Sequence, residues 1–129
     1  ISQGADVVYA AAGGTGVGVL QTAADEDILS IGVDSNQNYL FPGEVLTSMM
    51  KRVDNAVFAA MSDGPGFETG VRVLGLAEEG VGYALDEFNA ELISEEMQAA
   101  VDAARASIIA GEIMVHHFTE DGSCPVQMQ

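Results

Sequence analysis

The sequence predicts an α/β domain built on a parallel sheet, and two stretches carry that prediction. In the first, the apolar run Asp6–Ala12 leads into a glycine-rich loop, Ala10–Gly18 (AAAGGTGVG). A short helical stretch and a second apolar run, Ile28–Asp34, follow it, and that run closes on a carboxylate. Strand, glycine-rich turn, helix and strand make a βαβ unit. Such a unit brings backbone N–H groups and one acid to the same edge of a sheet, where α/β proteins bind ligands. The second stretch is a closing helix, Glu95–Ala110, with Ser94 as its cap and Gly111 as its stop.

Taken in order, Thr15–Ala24 reads as the first helix, with Val17, Leu20, Gln21 and Ala24 on one face. Glycines in its first turn cost roughly 1 kcal/mol each against Ala, and choices that costly serve close backbone approach. Asp25–Asp27 is a solvated turn, and Ser35–Gly43 (SNQNYLFPG) is a loop ending in a Pro-Gly turn signal. Val45–Ser62 has two readings by pattern: one long amphipathic helix, or a shorter helix capped by Asp54 and running to Met61. Thr69–Leu76 (TGVRVLGL) reads as a β-branched strand and Ala77–Asn89 as a loop. Met97, Val101, Ala104 and Ile108 form the apolar stripe of the closing helix, with Met97 as core filler. Glu112–Val115 reads as a short final strand, with His116 and His117 exposed at its end.

Composition narrows the function classes. Acidic residues number 20 against 4 basic ones, a formal net charge of -16. A phosphate-binding surface needs clustered Lys and Arg, so the charge argues against nucleic acid as a partner. Hydrophobic content of 48% argues for a folded core rather than disorder. No apolar run approaches the ~18 residues needed to span a bilayer. The chain opens at Ile1 with a strand signal almost at once, which reads as a cut inside a larger protein. Cys124 is the single cysteine, so no internal disulfide forms, and adjacent histidines with one cysteine make a poor zinc set. No metal, no cofactor and no catalysis are expected: no nucleophile–base pair or paired acid set is in view. Lys51 is the only lysine in a chain that otherwise avoids them.

By spacing alone, the loop supports either a tight βα turn or a dinucleotide site. Gly14, Gly16 and Gly18 give GxGxG rather than GxGxxG, so the third glycine is out of place for the fingerprint. Asp34 does stand where such folds bind ribose hydroxyls. An NAD-dependent oxidoreductase using this loop and Asp34 therefore remains an alternative at this point.

The same residues resemble a known family. Asp6–Gly18 (DVVYAAAGGTGVG), Ile31–Gln37 (IGVDSNQ), Leu46–Asp54 (LTSMMKRVD), Gly80–Ala84 (GVGYA) and the helix end Ile108–Ile113 occur in order and at similar spacing. Together they resemble the C-terminal part of the basic membrane protein family, the nucleoside-binding lipoproteins of ABC import systems. The resemblance implies a type I periplasmic-binding-protein fold, two α/β lobes closing on a solute, of which this chain would be a fragment. Residues 1–45 would belong to the second lobe and carry the ligand loop. Residues 46–66 would be a hinge crossing at Leu46–Met50 and a helix from about Asp54 to Ser62 on the first lobe. Residues 67–129 would return by a strand near Val71–Leu76 and end with the closing helix and tail on the second lobe.

The resemblance also implies ligand contacts. The glycine loop would offer a backbone amide to a ribose, at Gly14 with Gly13 close behind. Asp34 would accept from two vicinal ribose hydroxyls, and Lys51 would donate to a sugar hydroxyl while staying near Asp34. The expected partners are a nucleoside, an ABC transporter permease and a companion segment of the same protein covering the sheet edge. The expected place is extracytoplasmic, anchored through a lipoprotein N-terminus not present in this chain. A ligand-sensing regulatory domain of the same fold is a further alternative.

Overall fold

The computed structural model of the chain describes residues 1–123. Four strands form one sheet in sequence order: β1 (Val7–Tyr9), β2 (Leu29–Asp34), β3 (Val45–Lys51) and β4 (Val81–Tyr83). The first three are parallel, with Tyr9 opposite Ile31 and Asp34 opposite Met50. β4 turns antiparallel and sets Val81 opposite Lys51. The carboxyl ends of the three parallel strands thus share one edge, where Tyr9, Asp34 and Lys51 stand.

Helix α1 (Gly16–Asp25) makes the first crossover. Gly16, Leu20 and Ala23 are its buried residues, so the helix is where the spacing placed it but its buried face is not the one through Val17 and Gln21. Val17 is 39% exposed, and Gln21 bonds Asp25 in solvent one turn on. The second crossover, residues 35–44, is too short for a helix and holds only a 3-10 turn at Asn38–Leu40. Parallel strands normally need a dozen or more residues to cross over.

Polar side chains pack where that missing helix would lie. Among the described residues, Ser30, Asn38, Ser48 and Asn89 are as fully buried as Leu20, Ala23, Val45 and Ala84. Buried polar groups are tolerated only when bonded, and these are. Ser48 Oγ donates to Asn38 Oδ1 at 2.8 Å and accepts from the Gln37 amide at 3.0 Å. Asn89 Nδ2 donates to the Leu46 and Ala84 carbonyls, fastening the loop after β4 to β3. Gly32 makes this packing possible, because a Cβ there would lie 2.5 Å from Ser48 Oγ and 2.9 Å from Gln37 Oε1.

The structure resolves Val45–Ser62 into β3, paired within the sheet, followed by α2 (Val53–Asp63), so the stretch is not one long amphipathic helix. Asp54 does not cap α2; it lies in the first turn and takes a forked ion pair from Arg52, as close as 2.7 Å. α2 has no buried residue, and Val57, Phe58 and Met61 along it are at least half exposed.

Two expected strands are absent. Thr69–Leu76 forms none, and Val71 and Val73 are 96% and 86% exposed. A β-branched run becomes a strand only against a partner, and the place beside Lys51 is taken by Val81–Tyr83, within the stretch read as loop. Glu112–Val115 also forms no strand: the amides of Glu112 and Ile113 turn back to the Ser107 carbonyl at the end of the closing helix. His116 and His117 therefore follow irregular chain rather than a strand, and a short helix, Phe118–Asp121, comes after them. Cys124 lies outside the described residues.

The closing helix, α3 (Glu95–Ile109), matches its expected ends. Ser94 accepts from the Met97 amide at 3.1 Å, and Gly111 stops the helix at φ +75°. Its stripe is not core, however. Met97 and Val101 are 41% and 45% exposed, and the stripe from Val101 to Ile108 borders an open cavity of about 580 Å³ against β3 and β4. Met97 is thus not the core filler that its spacing suggested.

Two substitutions test this account in the intact protein. Gly32→Ala lowers stability by about 1–3 kcal/mol through overpacking, measured as a lower urea midpoint at unchanged slope. Wild-type stability would show that Ser48 and Gln37 re-seat freely. Ser94→Ala removes the cap of α3 and costs about 1 kcal/mol; a neutral result by the same measurement would mean that water replaces the hydroxyl.

Candidate functional site

The edge at the carboxyl ends of β1, β2 and β3 is assembled from a turn, a carboxylate and an ammonium. After β1, the chain makes a 3-10 turn at Gly13–Thr15 and enters α1 directly. Gly13 has φ +55°, a conformation that favours glycine. Gly14 has open space where a side chain would project, so a ligand can approach its backbone closely. Thr15 makes no side-chain cap to α1, and the Gly16 amide at the helix start turns back to the Gly13 and Gly14 carbonyls. Gly16 is buried, and a Cβ there would lie 3.4 Å from the Ala10 carbonyl oxygen, so the start of the helix sits close to the chain leaving β1.

Asp34, the last residue of β2, is held in an unusual backbone conformation. Its φ is +71°, and the Ser35 amide bonds across it to the Val33 carbonyl at 2.9 Å. That bond with a positive φ marks a γ-turn of the strained hand. Strain of this kind costs of order 1–3 kcal/mol and persists only where the surroundings over-determine it. Here they do. The Val33 amide donates to Gln37 Oε1 at 2.8 Å, and the Asn38 amide donates to Asn36 Oδ1 at 3.0 Å.

The turn swings the Asp34 carboxylate to Lys51, whose Nζ lies 2.8 Å from Oδ1. Oδ1 is shut off from solvent and has no other close partner, while the Asp34 side chain as a whole is 46% exposed. The open part of the carboxyl is therefore its Oδ2 side. Lys51 is 61% exposed at the end of β3. Its pKa is raised above the ordinary 10.5, chiefly by the hydrogen bond to Asp34 and then by the carboxylate's charge; the nearby Tyr9 phenol adds a smaller push. Tyr9 is a neighbour of the pair that the sequence reading passed over. Its position as the last residue of β1, two strands from Lys51, was the available signal.

The remaining cations are committed elsewhere. Arg52 pairs with Asp54, Arg72 pairs with Asp63 at 2.8 Å and stacks on Phe67, and Arg105 reaches the Leu76 carbonyl. The edge accordingly offers an acceptor-rich carboxylate, one ammonium and backbone donors, a set suited to vicinal hydroxyls. It does not offer the cluster of cations that a phosphate chain needs. No group of His, Cys, Asp and Glu among the described residues is arranged to hold a metal ion. No helix among them is long and apolar enough to cross a membrane.

Comparison with known proteins identifies the family. The family model described as ABC transporter substrate-binding protein PnrA-like matches residues 1–118. Basic membrane protein D of Borreliella burgdorferi is 39% identical over 92 residues, 65% of this chain and 26% of that protein. An uncharacterized lipoprotein of Pyrococcus abyssi is 38% identical over 92 residues, covering 64% of this chain and 22% of its own length. The chain thus spans about a quarter of these relatives. A solute-binding protein of an ABC transporter system from Aeropyrum pernix superposes with a TM-score of 0.71 at 30% identity, over 94% of this chain and 44% of that one. The sheet is thus part of a periplasmic-binding-protein-like fold, and the chain belongs to the PnrA-like family of ABC transporter substrate-binding proteins, the basic membrane proteins.

Proposed function

We propose that the protein is the solute-binding component of an ABC importer, that its solute is a nucleoside, and that it performs no catalysis. The observation that carries the reading is the Asp34–Lys51 pair at the strand ends, on the same edge as the open Gly13–Gly14 turn. Asp34 Oδ2 accepts from two vicinal ribose hydroxyls, and Lys51 donates to a sugar oxygen without leaving Oδ1. Gly14, with Gly13 beside it, supplies a backbone donor. Charge-assisted bonds of this kind contribute about 1.5–3 kcal/mol each. The pair is neutral overall, which fits an uncharged ligand, and a purine nucleoside is the solute we favour. A dinucleotide-dependent oxidoreductase is not favoured, because family membership and the displaced third glycine both speak against it.

The domain division follows the same reading. Residues 1–45 and 67–129 belong to one lobe; β3 continues the sheet of that lobe to Lys51, and the rest of residues 46–66 carries the chain across a hinge to a helix of the other. The exposed apolar residues of α2 support this, since a companion segment of the same protein would cover them together with the free edge at β1. The lipoprotein names among the relatives support an extracytoplasmic, membrane-anchored protein that delivers its solute to a permease.

Calorimetry on the intact protein tests the ligand. Adenosine, guanosine or inosine binds and NAD does not; NAD binding without a nucleoside signal would sink the reading. Asp34→Ala weakens nucleoside affinity by at least about a hundredfold, the lower bound for loss of two such bonds, whereas unchanged affinity would make the carboxylate structural. The raised pKa of Lys51 fixes the sign of the pH effect. On the alkaline side the ammonium's contribution is complete up to 10.5 and fades as pH rises through the raised folded value. Affinity is therefore flat from neutral pH upward until it falls in strong alkali. A midpoint near neutrality would show that another group governs binding.

A further inference from the structure

The γ-turn at Asp34 is held from a distance, by the loop that follows β4. Asp86 Oδ2 accepts from Asn36 Nδ2 at 2.6 Å and from Asn38 Nδ2 at 3.2 Å, on the turn's outgoing side. Asp86 Oδ1 accepts from the Phe88 amide at 2.9 Å, and the Asp86 amide donates to Asn89 Oδ1 at 2.9 Å. Buried Asn89 is bonded to the Leu46 and Ala84 carbonyls, so the Asp86 loop is tied to β3, the strand that carries Lys51. A single carboxylate thus joins Asn36 and Asn38 to the strand bearing Asp34's counter-charge. The group is ionised throughout the neutral range, its pKa lowered chiefly by the Asn36 bond.

We infer that Asp86 is a positioning residue for Asp34: through Asn36 and Asn38 it holds the strained turn that aims the Asp34 carboxylate at the strand-end edge and at Lys51. The inference rests on the proposed nucleoside function for its ligand readout and on the Asp34–Lys51 pair for a second, independent one. Without Asp86 the loop keeps its local bonds and the Ser48 bonds to Gln37 and Asn38, but the Asn36 side chain loses its tie to the loop after β4. The γ-turn then relaxes toward ordinary extended backbone, and the carboxylate loses its aim without any ligand contact being removed.

The test uses the intact protein, inosine as the probe, and two variants. Asp86→Ala removes the carboxylate, and Asn36→Ala, at an exposed position, serves where Asp86→Ala fails to fold. Each weakens inosine binding roughly tenfold in the wild-type background, the effect of spoiling one charge-assisted bond. In the Asp34→Ala background each adds less than about twofold, because the two residues act as one unit. Each also returns the Lys51 ammonium, followed by NMR titration, toward 10.5. Unchanged inosine affinity with an unchanged Lys51 titration overturns the inference. So does an equal loss in the Asp34→Ala background, which a merely structural role would give. If the wild-type protein binds no inosine, the nucleoside reading fails and the Lys51 titration alone decides: a downward shift upholds the positioning role, and none refutes it.

Discussion

The constraint on which the rest of the structure depends is the reversal of the chain at Asp34. A strand that simply continued would alternate its side chains and carry Asp34 to the face opposite Lys51, since Asp34 pairs with Met50 rather than with Lys51 itself. The positive φ at Asp34 breaks that alternation and brings carboxylate and ammonium together. The strain this costs is offset by bonds on every side: Gln37 to Val33, Ser48 to Gln37, and Asp86 to Asn36 and Asn38. Gly32, Ser48 and Asn38 are then less a core than the mounting of one turn.

That mounting explains why so much of the interior is polar. A helical crossover between β2 and β3 would cover the sheet with aliphatic side chains, as α1 does with Leu20 and Ala23. A short crossover instead keeps its own turn at the strand ends, and its backbone groups must then be satisfied by side chains such as Asn38 and Ser48. The gain is geometric. Bonds of fixed length and direction specify where Asp34 points, which dispersion contacts alone do not.

Much of this was legible in the sequence, and the exceptions share a cause. The βαβ unit, the glycine turn, α3 with its Ser94 cap and the strand-end carboxylate follow from local chemistry: periodicity, caps and turn residues act within a few positions. Thr69–Leu76 and Glu112–Val115 were misread because a strand is a pairing, and composition does not reveal whether a partner is free. Tyr83 and its neighbours won the place beside β3 despite two glycines in GVGY. Met97 was misread for a related reason: helical spacing identifies an apolar face but not what lies against it. The Asp86–Asn36 bond joins residues 50 positions apart, and two polar side chains in separate loops carry no periodic signal at all.

Charge completes the argument about what the edge can hold. With 20 acidic residues against 4 basic ones, the long-range field disfavours anions before any contact forms. Arg52, Arg72 and Arg105 are drawn into local bonds to Asp54, Asp63 and the Leu76 carbonyl. Lys51 stands at the strand ends, and its charge is already balanced by Asp34. A phosphorylated ligand would need to displace that balance within an acidic field, while a ligand bearing only hydroxyls needs no countercharge. The same pair that makes the edge polar therefore keeps it neutral, which is what the proposed nucleoside, carrying no charge, requires.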